Sequence, residues 1–307
     1  MSPCVKCKAP APPEPFLGLP FRPLESADHA LLDVFLKNHP HSLSGYTLGS
    51  LLAWDPVFKY RYIFPEPETL LVSFCLPKED RCSLLQPVGA FTEKTREALL
   101  RAVSSLTYSL RIVGVDSAFI RAFPEWVSPF EVKPDRDNDN YIYRAADLAL
   151  LAGRRYSKKR NLIAQAAKAY EWTVEALVAG NTDACLEVLK GDGVNLEQDR
   201  LALENSLRLF PDLPQDGVLL RVSGKPAAFS IFEPQTKDMA VVHFERALRS
   251  YKGLYQVLNR ATAQAMLETG FAFINREEDL GDPGLRQSKK SYYPVRLEEA
   301  FSLTYKG

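Results

Sequence analysis

Two residues on one short segment carry acid–base potential. His243 and Glu245 lie two apart in Met-Ala-Val-Val-His-Phe-Glu-Arg (239–246), an apolar run that reads as a β-strand. Side chains two apart share a face of a strand, so His243 and Glu245 point together while Val242 and Phe244 point into a core. Such a pair can share a proton or orient a nucleophile, or it can be a satisfied polar contact. The nearby turn at Gly253, before a predicted helix, favours a functional role. A second segment, Phe-Ala-Phe-Ile-Asn-Arg-Glu-Glu-Asp (271–279), ends a core strand in a polar run. It puts Asn275, Glu278 and Asp279 where folds place binding groups.

Cations gather in two places. Five of the seven residues 154–160 are basic. On a helix Arg154, Arg155, Lys158 and Lys159 fall within an arc of about 140°, a face suited to phosphate. A solvated basic helix would look the same. Arg160 lies apart, toward Tyr156 and Ile163, where an inward positive charge needs an anion. The second cluster, Arg286, Lys289 and Lys290, stands beside Tyr292 and Tyr293. Cations interleaved with rings suit a nucleotide, charge for its phosphate and a ring for its base.

The elements that must hold these groups follow from periodicity. Residues 60–64, 69–74 and 83–88 read as strands, 92–106 as a helix capped by Thr92, and 110–115 as a further strand. Residues 134–140, Pro-Asp-Arg-Asp-Asn-Asp-Asn, contain no apolar side chain and read as a linker. Helical patterns follow at about 145–170, 181–190 and 196–210. Then 217–222, 226–232 and 239–246 read as strands, 254–265 as a helix and 271–275 as a strand. The order strand, strand, strand, helix, strand therefore occurs on both sides of the linker. The expected domains are 24–134 and 141–307, after a disordered proline-rich arm over 1–23.

The chain has 307 residues, enough for two domains, with 38 basic and 38 acidic side chains. Zero net charge excludes indiscriminate nucleic-acid binding and weakens docking on an anionic membrane, but permits a confined polyanion site. No apolar run reaches membrane-spanning length, and no signal-peptide core is present, so a cytoplasmic protein without an integral membrane segment is expected. Five cysteines argue against a disulfide framework. Cys4 and Cys7 form a lone CxxC, either an incidental pair or half of a metal or redox site. No metal is expected.

The repeated unit, an antiparallel meander followed by a strand, a glycine loop, a helix and a strand, matches the GNAT-type acyltransferase fold. The expectation is an α+β protein with two tandem GNAT-like domains, mixed sheets flanked by helices. In that fold the loop before the helix cradles an anionic donor on backbone N–H groups. Residues 249–253 occupy that place, with Tyr251, Lys252 and Gly253 as candidate donor contacts. The usual Arg/Gln-x-x-Gly-x-Gly/Ala pattern is absent. Gly253 is displaced by one and Tyr255 stands where a small residue belongs, which weighs against coenzyme A as donor.

Gly-Arg-Arg-Tyr-Ser-Lys-Lys-Arg-Asn-Leu-Ile (153–163), His-Phe-Glu-Arg-Ala (243–247), Tyr-Lys-Gly-Leu-Tyr-Gln (251–256), Asn-Arg-Glu-Glu-Asp-Leu-Gly-Asp-Pro-Gly-Leu-Arg (275–286) and Lys-Ser-Tyr-Tyr-Pro (290–294) together resemble the phosphatidylglycerol lysyltransferase C-terminal domain family. The resemblance covers roughly residues 24–305. It implies tandem GNAT-like domains, kinship with the Fem-type aminoacyltransferases, and transfer of an amino acid from aminoacyl-tRNA to an amine or hydroxyl acceptor, lipid or peptide, with no resident cofactor. His243 or Glu245 would move the proton. Asn275, Glu278, Asp279 and Tyr292 would hold the donor or the acceptor. Arg154, Arg155, Lys158, Lys159, Arg160, Arg286, Lys289 and Lys290 would track the tRNA phosphates. Two alternatives stay open: a coenzyme A-dependent N-acyltransferase, and a non-catalytic module binding tRNA or nucleotide on a GNAT scaffold.

Overall fold

The computed structural model describes residues 16–75, 81–191, 193 and 196–306. Cys4 and Cys7, and the expected arm before residue 16, lie outside the described residues. Two compact units emerge: Met1–Arg136 with Glu299–Gly307, and Asp137–Glu298. The expected second domain ran to residue 307, but the final strand belongs to the first unit. A short strand at the chain end is placed by whichever sheet edge it pairs with, which periodicity does not encode.

The first unit contains β1 (Arg22–Pro23), α1 (His29–Asn38), α2 (Leu48–Phe58), β2 (Arg61–Glu66), β3 (Thr69–Cys75), β4 (Cys82–Leu85), β5 (Val88–Gly89), α3 (Glu93–Ser104), β6 (Arg111–Val115), α4 (Ser117–Ala122), α5 (Pro124–Val127) and β7 (Phe130–Pro134). Its sheet runs β1-β2-β3-β4-β6, then the C-terminal strand Phe301–Tyr305, then β7, with β5 beside β3. The arm does not extend to residue 23. Phe16, Leu17 and Phe21 are buried in this unit's core, because three large apolar side chains among the prolines have a sheet to cover. Cys75 and Cys82 face each other across β3 and β4 and form a disulfide, the one bridge among the described residues, which the odd cysteine count did not suggest.

The second unit contains β8 (Asn140–Arg144), α6 (Ala145–Leu150), α7 (Ser157–Ala169), β9 (Trp172–Ala176), α8 (Asp183–Gly191), α9 (Glu197–Leu209), β10 (Asp216–Val222), β11 (Lys225–Pro234), β12 (Met239–Ala247), α10 (Leu254–Glu268), β13 (Phe273–Asn275), α11 (Pro283–Lys290) and β14 (Arg296–Glu298). Its sheet runs β14-β8-β13-β12-β11-β10-β9. Val218, Leu220, Phe232, Ala240, Val242, Leu258 and Met266 share the core between this sheet and α10.

Among the described strands, each unit has one parallel pair of neighbours with a helix between them in the chain. These are β4–α3–β6 and β12–α10–β13. Each sheet is therefore mixed, and the same unit occurs twice. In the second unit the parallel pairing stops at Val241 opposite Asn275, while β12 runs on to Ala247. The two strands part there, beyond the carboxyl end of β13, and this splay is the crevice position at which α/β sheets bind ligands.

Candidate active site

The crevice is lined by residues of β12 and by the chain leaving β13. Ile231 pairs with Phe244 and Phe232 with Val242, so His243 is unmatched in a β-bulge. A bulge re-aims the side chains on either side of it. It breaks the strict alternation that puts His243 and Glu245 on one shared face, and the two residues meet different partners.

His243 is clamped between two carboxylates. Its Nε2 lies 2.6 Å from Glu233 Oε1 and its Nδ1 lies 2.7 Å from Glu277 Oε1. Burial alone would push the imidazole down. The hydrogen bonds and charges of Glu233 and Glu277 outweigh it and raise His243 to about 10. His243 is thus an imidazolium at neutral pH with both ring nitrogens engaged. Next to it Glu278 accepts from Asn140 Nδ2 at 3.4 Å. Burial, reinforced by Glu277, pushes Glu278 up from the usual carboxylate range.

Glu245 belongs to a second set. Its Oε2 takes Arg276 Nη2 at 2.5 Å, and its Oε1 accepts from Asn259 Nδ2 at 3.4 Å. The Arg276 guanidinium carbon lies 5.1 Å from the ring centre of Tyr292 and 5.8 Å from that of Tyr143. Lys159 Nζ sits 3.9 Å over the Tyr292 ring and donates to Ser291 Oγ at 2.6 Å. Burial and the Arg276 charge lower Lys159 to about 8. Lys289 is 7% exposed, donates to the Arg276 carbonyl, and is also pushed down, first by burial and then by Arg276.

Other predicted residues hold the frame. Asn275 is buried, donating to Asn140 Oδ1 at 2.8 Å and Gln235 Oε1 at 3.0 Å, and its Oδ1 accepts from the Glu277 N–H at 2.8 Å. It positions Glu277, whose φ of 56° is left-handed. Asp279 accepts from Tyr141 at 2.6 Å, from Arg286 at 2.7 and 2.8 Å, and from the Gly281 N–H at 3.0 Å. Burial opposes its ionisation, but these donors hold its carboxyl well below the usual range. Both polar groups are spent internally, which argues against the direct ligand contacts expected of Asn275 and Asp279.

The loop before α10 needs its glycine. Gly253 has φ 86°, and a Cβ there would lie 2.5 Å from the Leu162 carbonyl oxygen. Tyr251 packs edge-on to Tyr170, whose hydroxyl donates to the Lys252 carbonyl, and Tyr255 opens α10 half-exposed. Part of the expected anion cradle is taken up by its own turn. The N–H groups of Tyr251, Leu254 and Gln256 already donate to the carbonyls of Leu248, Tyr251 and Gly253. The corresponding place in the first unit is filled. Tyr46 OH accepts the Gln86 N–H at 2.8 Å and donates to the Gly114 carbonyl at 2.8 Å where β4 and β6 separate, and Glu66 covers the start of α3 by accepting from Thr92 and Thr95. Among the described residues the charged cluster at this position belongs to the second unit alone.

The predicted cationic tract divides. Arg160 does not turn inward as expected: it is exposed, and its guanidinium folds back to donate to the carbonyls of Leu151 at 2.5 Å and Gly153 at 2.7 Å. Arg286 is committed to Asp279 and Asp137, and Lys289 is buried. Arg155 pairs with Asp147 at 2.9 Å and lies over the rings of Tyr156 and Tyr293. Arg154, Lys158 and Lys290 are exposed. Lys290 and Tyr293 border a shallow cavity of about 570 Å³ along α11. Among the described residues no group of three or more His, Cys, Asp and Glu side chains converges as a metal ion requires.

Glu233, Arg276 and Glu277 were not singled out from the sequence. Glu233 had a readable signal, a lone carboxylate ending the apolar run Phe-Ser-Ile-Phe (229–232). Arg276 and Glu277 had only their place after a core strand.

Two mixed sheets, each with a helix joining its parallel strands, define a tandem GNAT-like acyltransferase fold. The chain belongs to the family described as phosphatidylglycerol lysyltransferase, C-terminal, which it matches over residues 37–304. It is similar to a crystal structure of a conserved protein of unknown function from Bacteroides thetaiotaomicron VPI-5482, at 27% identity and a TM-score of 0.83, covering 94% of this chain and 99% of that one. The fold also matches L-PGS from Bacillus licheniformis (15% identity, TM-score 0.66, 91% and 92% covered). It matches FemX as well (12%, 0.59, 90% and 95%). An uncharacterized protein of Mycoplasmoides gallisepticum is 26% identical over 184 residues, 55% of this chain and 58% of that protein, so the chain spans under two thirds of that relative. Among the described residues no helix is long and apolar enough to cross a membrane.

Proposed function

We propose that this chain is a cytoplasmic aminoacyltransferase that passes an amino acid from aminoacyl-tRNA to the amine or hydroxyl of a lipid or peptide acceptor. The observation that carries this reading is the crevice where β12 and β13 part, lined by His243–Glu277 and Glu245–Arg276 in a chain of this family. The displaced Gly253 and the bulky Tyr255 before and at the start of α10 support a donor other than coenzyme A.

An aminoacyl ester is already activated, so the protein must align the two substrates, take a proton and stabilise the oxyanion. The acceptor nitrogen or oxygen attacks the ester carbonyl carbon, the ribose oxygen leaves, and a proton passes from the acceptor to that oxygen. His243, already protonated, has both N–H groups spent on Glu233 and Glu277, so it holds Glu277 in place and is not the base. Glu278, raised by burial beside Glu277, is the carboxyl that changes protonation nearest neutrality and is the candidate base. Glu245 orients Arg276. Arg154, Lys158 and Lys290, the exposed cations, meet tRNA phosphates.

The test is direct. Purified protein is mixed with tRNA charged with labelled amino acids, and separately with labelled acetyl-coenzyme A, in the presence of lipid and peptide extracts. Label moving from charged tRNA alone supports the reading, and label from acetyl-coenzyme A alone overturns it. Salt-sensitive tRNA binding without transfer would instead support a non-catalytic binding module, a reading that the doubly engaged His243 favours over coenzyme A chemistry.

A further inference from the structure

Arg276 carries two buried polar atoms that the fold leaves unanswered. Nη2 is held by Glu245, while Nε and Nη1 are buried with no hydrogen-bond partner. Buried donors in folded proteins are nearly always paired, and an unpaired one is destabilising. An acceptor is therefore missing at this point of the crevice. The surroundings set its charge. Lys159 and Arg276 lie over the same Tyr292 ring, and Lys289 and Lys159 both feel the Arg276 charge as repulsion. Glu245 is the one carboxylate hydrogen-bonded to Arg276 among the described residues, and Glu277 is engaged by His243. An anion relieves this crowding and a neutral acceptor does not.

The walls set its shape. The rings of Tyr143 and Tyr292 both stand close to the guanidinium, their centres 5.8 and 5.1 Å away. A carboxylate is planar and can accept in the guanidinium plane from Nη1 or from Nε, which lie on opposite edges, so one carboxylate answers one of the two donors. A tetrahedral phosphate carries oxygens above and below that plane, toward the rings. The Arg276 side chain retains 14% of its surface and Lys159 is partly exposed, so the edge of the cluster meets solvent, while Nε and Nη1 themselves are covered and are reached only when their cover moves aside.

We propose that Arg276, with Lys159 and Tyr292, binds the carboxylate of the acceptor, which makes the acceptor an amino acid or a peptide with a free carboxyl terminus. The word acceptor rests on the acyl-transfer reading; the binding itself is measurable without turnover.

The experiment is calorimetric titration of the full chain with glycylglycine, glycylglycinamide and inorganic phosphate. Glycylglycine binds about tenfold or more tightly than the amide, the value expected of one charge-assisted pair, and phosphate does not displace it. Arg276→Gln abolishes the preference. Should Arg276→Gln fail to fold, Lys159→Met, at a partly exposed position, keeps the test intact and weakens glycylglycine a few-fold without changing the affinity for the amide. Equal binding of acid and amide, no binding of either, displacement by phosphate, or a Lys159→Met variant that binds like the parent each overturns the proposal. No charged tRNA is present in this titration. Loss of the acid preference leaves acyl transfer standing, and absence of transfer with the preference intact overturns only the functional reading.

Discussion

His243 Nε2 and Glu233 Oε1 lie 2.6 Å apart, and both side chains are at most 3% exposed. Two oppositely charged groups shut away from water stabilise the fold only as a pair, since either alone is an uncompensated buried charge. The strand carrying one partner is positioned by the other.

Removing one member is expected to be severe. Glu233→Gln or His243→Gln should cost about 3–5 kcal/mol of unfolding free energy, read by denaturant titration. A loss under about 1 kcal/mol, the range of exposed ion pairs, would mean that the two groups are solvated in solution.

The same pair sets a pH dependence. His243 is raised in the folded state, to about 10, above its ordinary value of 6.5. Its contribution is complete below the unfolded value and is lost as pH rises through about 10. Stability should fall between roughly pH 7 and pH 10, and His243→Gln should flatten that slope. In an NMR titration the His243 ring should not change protonation between pH 5 and 8; a midpoint near 6.5 would contradict the double carboxylate clamp.

Asp279 works in the opposite direction. Its carboxyl is held low in the folded state, so its contribution is present above the ordinary carboxylate range and is lost in acid. Tyr141→Phe removes the 2.6 Å donor to it and should cost about 1–2 kcal/mol at neutral pH. The same change should move the acid unfolding midpoint to higher pH, followed by circular dichroism.

Gly253 is irreplaceable for a local reason. Gly253→Ala combines a left-handed φ with a 2.5 Å approach to the Leu162 carbonyl. The expected loss is at least about 2 kcal/mol, measured by thermal melting. Gly180→Ala, where nothing lies within 4 Å of the added Cβ, is the matched control. It should stay within about 0.5 kcal/mol of the parent.

The cations give a way to separate surface from scaffold. If tRNA is bound, Lys158→Glu and Lys290→Glu should each weaken it and reduce the magnitude of the salt slope by about 1. Arg286→Gln should lower stability instead, because its partners Asp279 and Asp137 lie within the protein. An Arg286 variant that melts normally but loses tRNA would reverse this division.

The sequence by itself determined the elements and the fold class, because hydrophobic period is local. Residues 239–246 alternate as a strand, and 254–265 carry one apolar stripe. It missed several short elements, among them β7, β9, α11 and the C-terminal strand, and it missed α2, whose residues 48–53 are buried on every side and show no stripe to read. It also located the charged groups correctly along the chain. Which of them meet was decided only by tertiary structure. A one-residue bulge at His243 sends that ring to Glu233 and Glu277 and leaves Glu245 to Arg276. Arg286 and Lys289 look like surface cations in sequence, yet they are spent on carbonyls and carboxylates far away in the chain or around a turn, while Arg160, expected to point inward, is exposed and donates to nearby carbonyls. Pairing of charges depends on distance in space and on desolvation, and neither is a property of residue order.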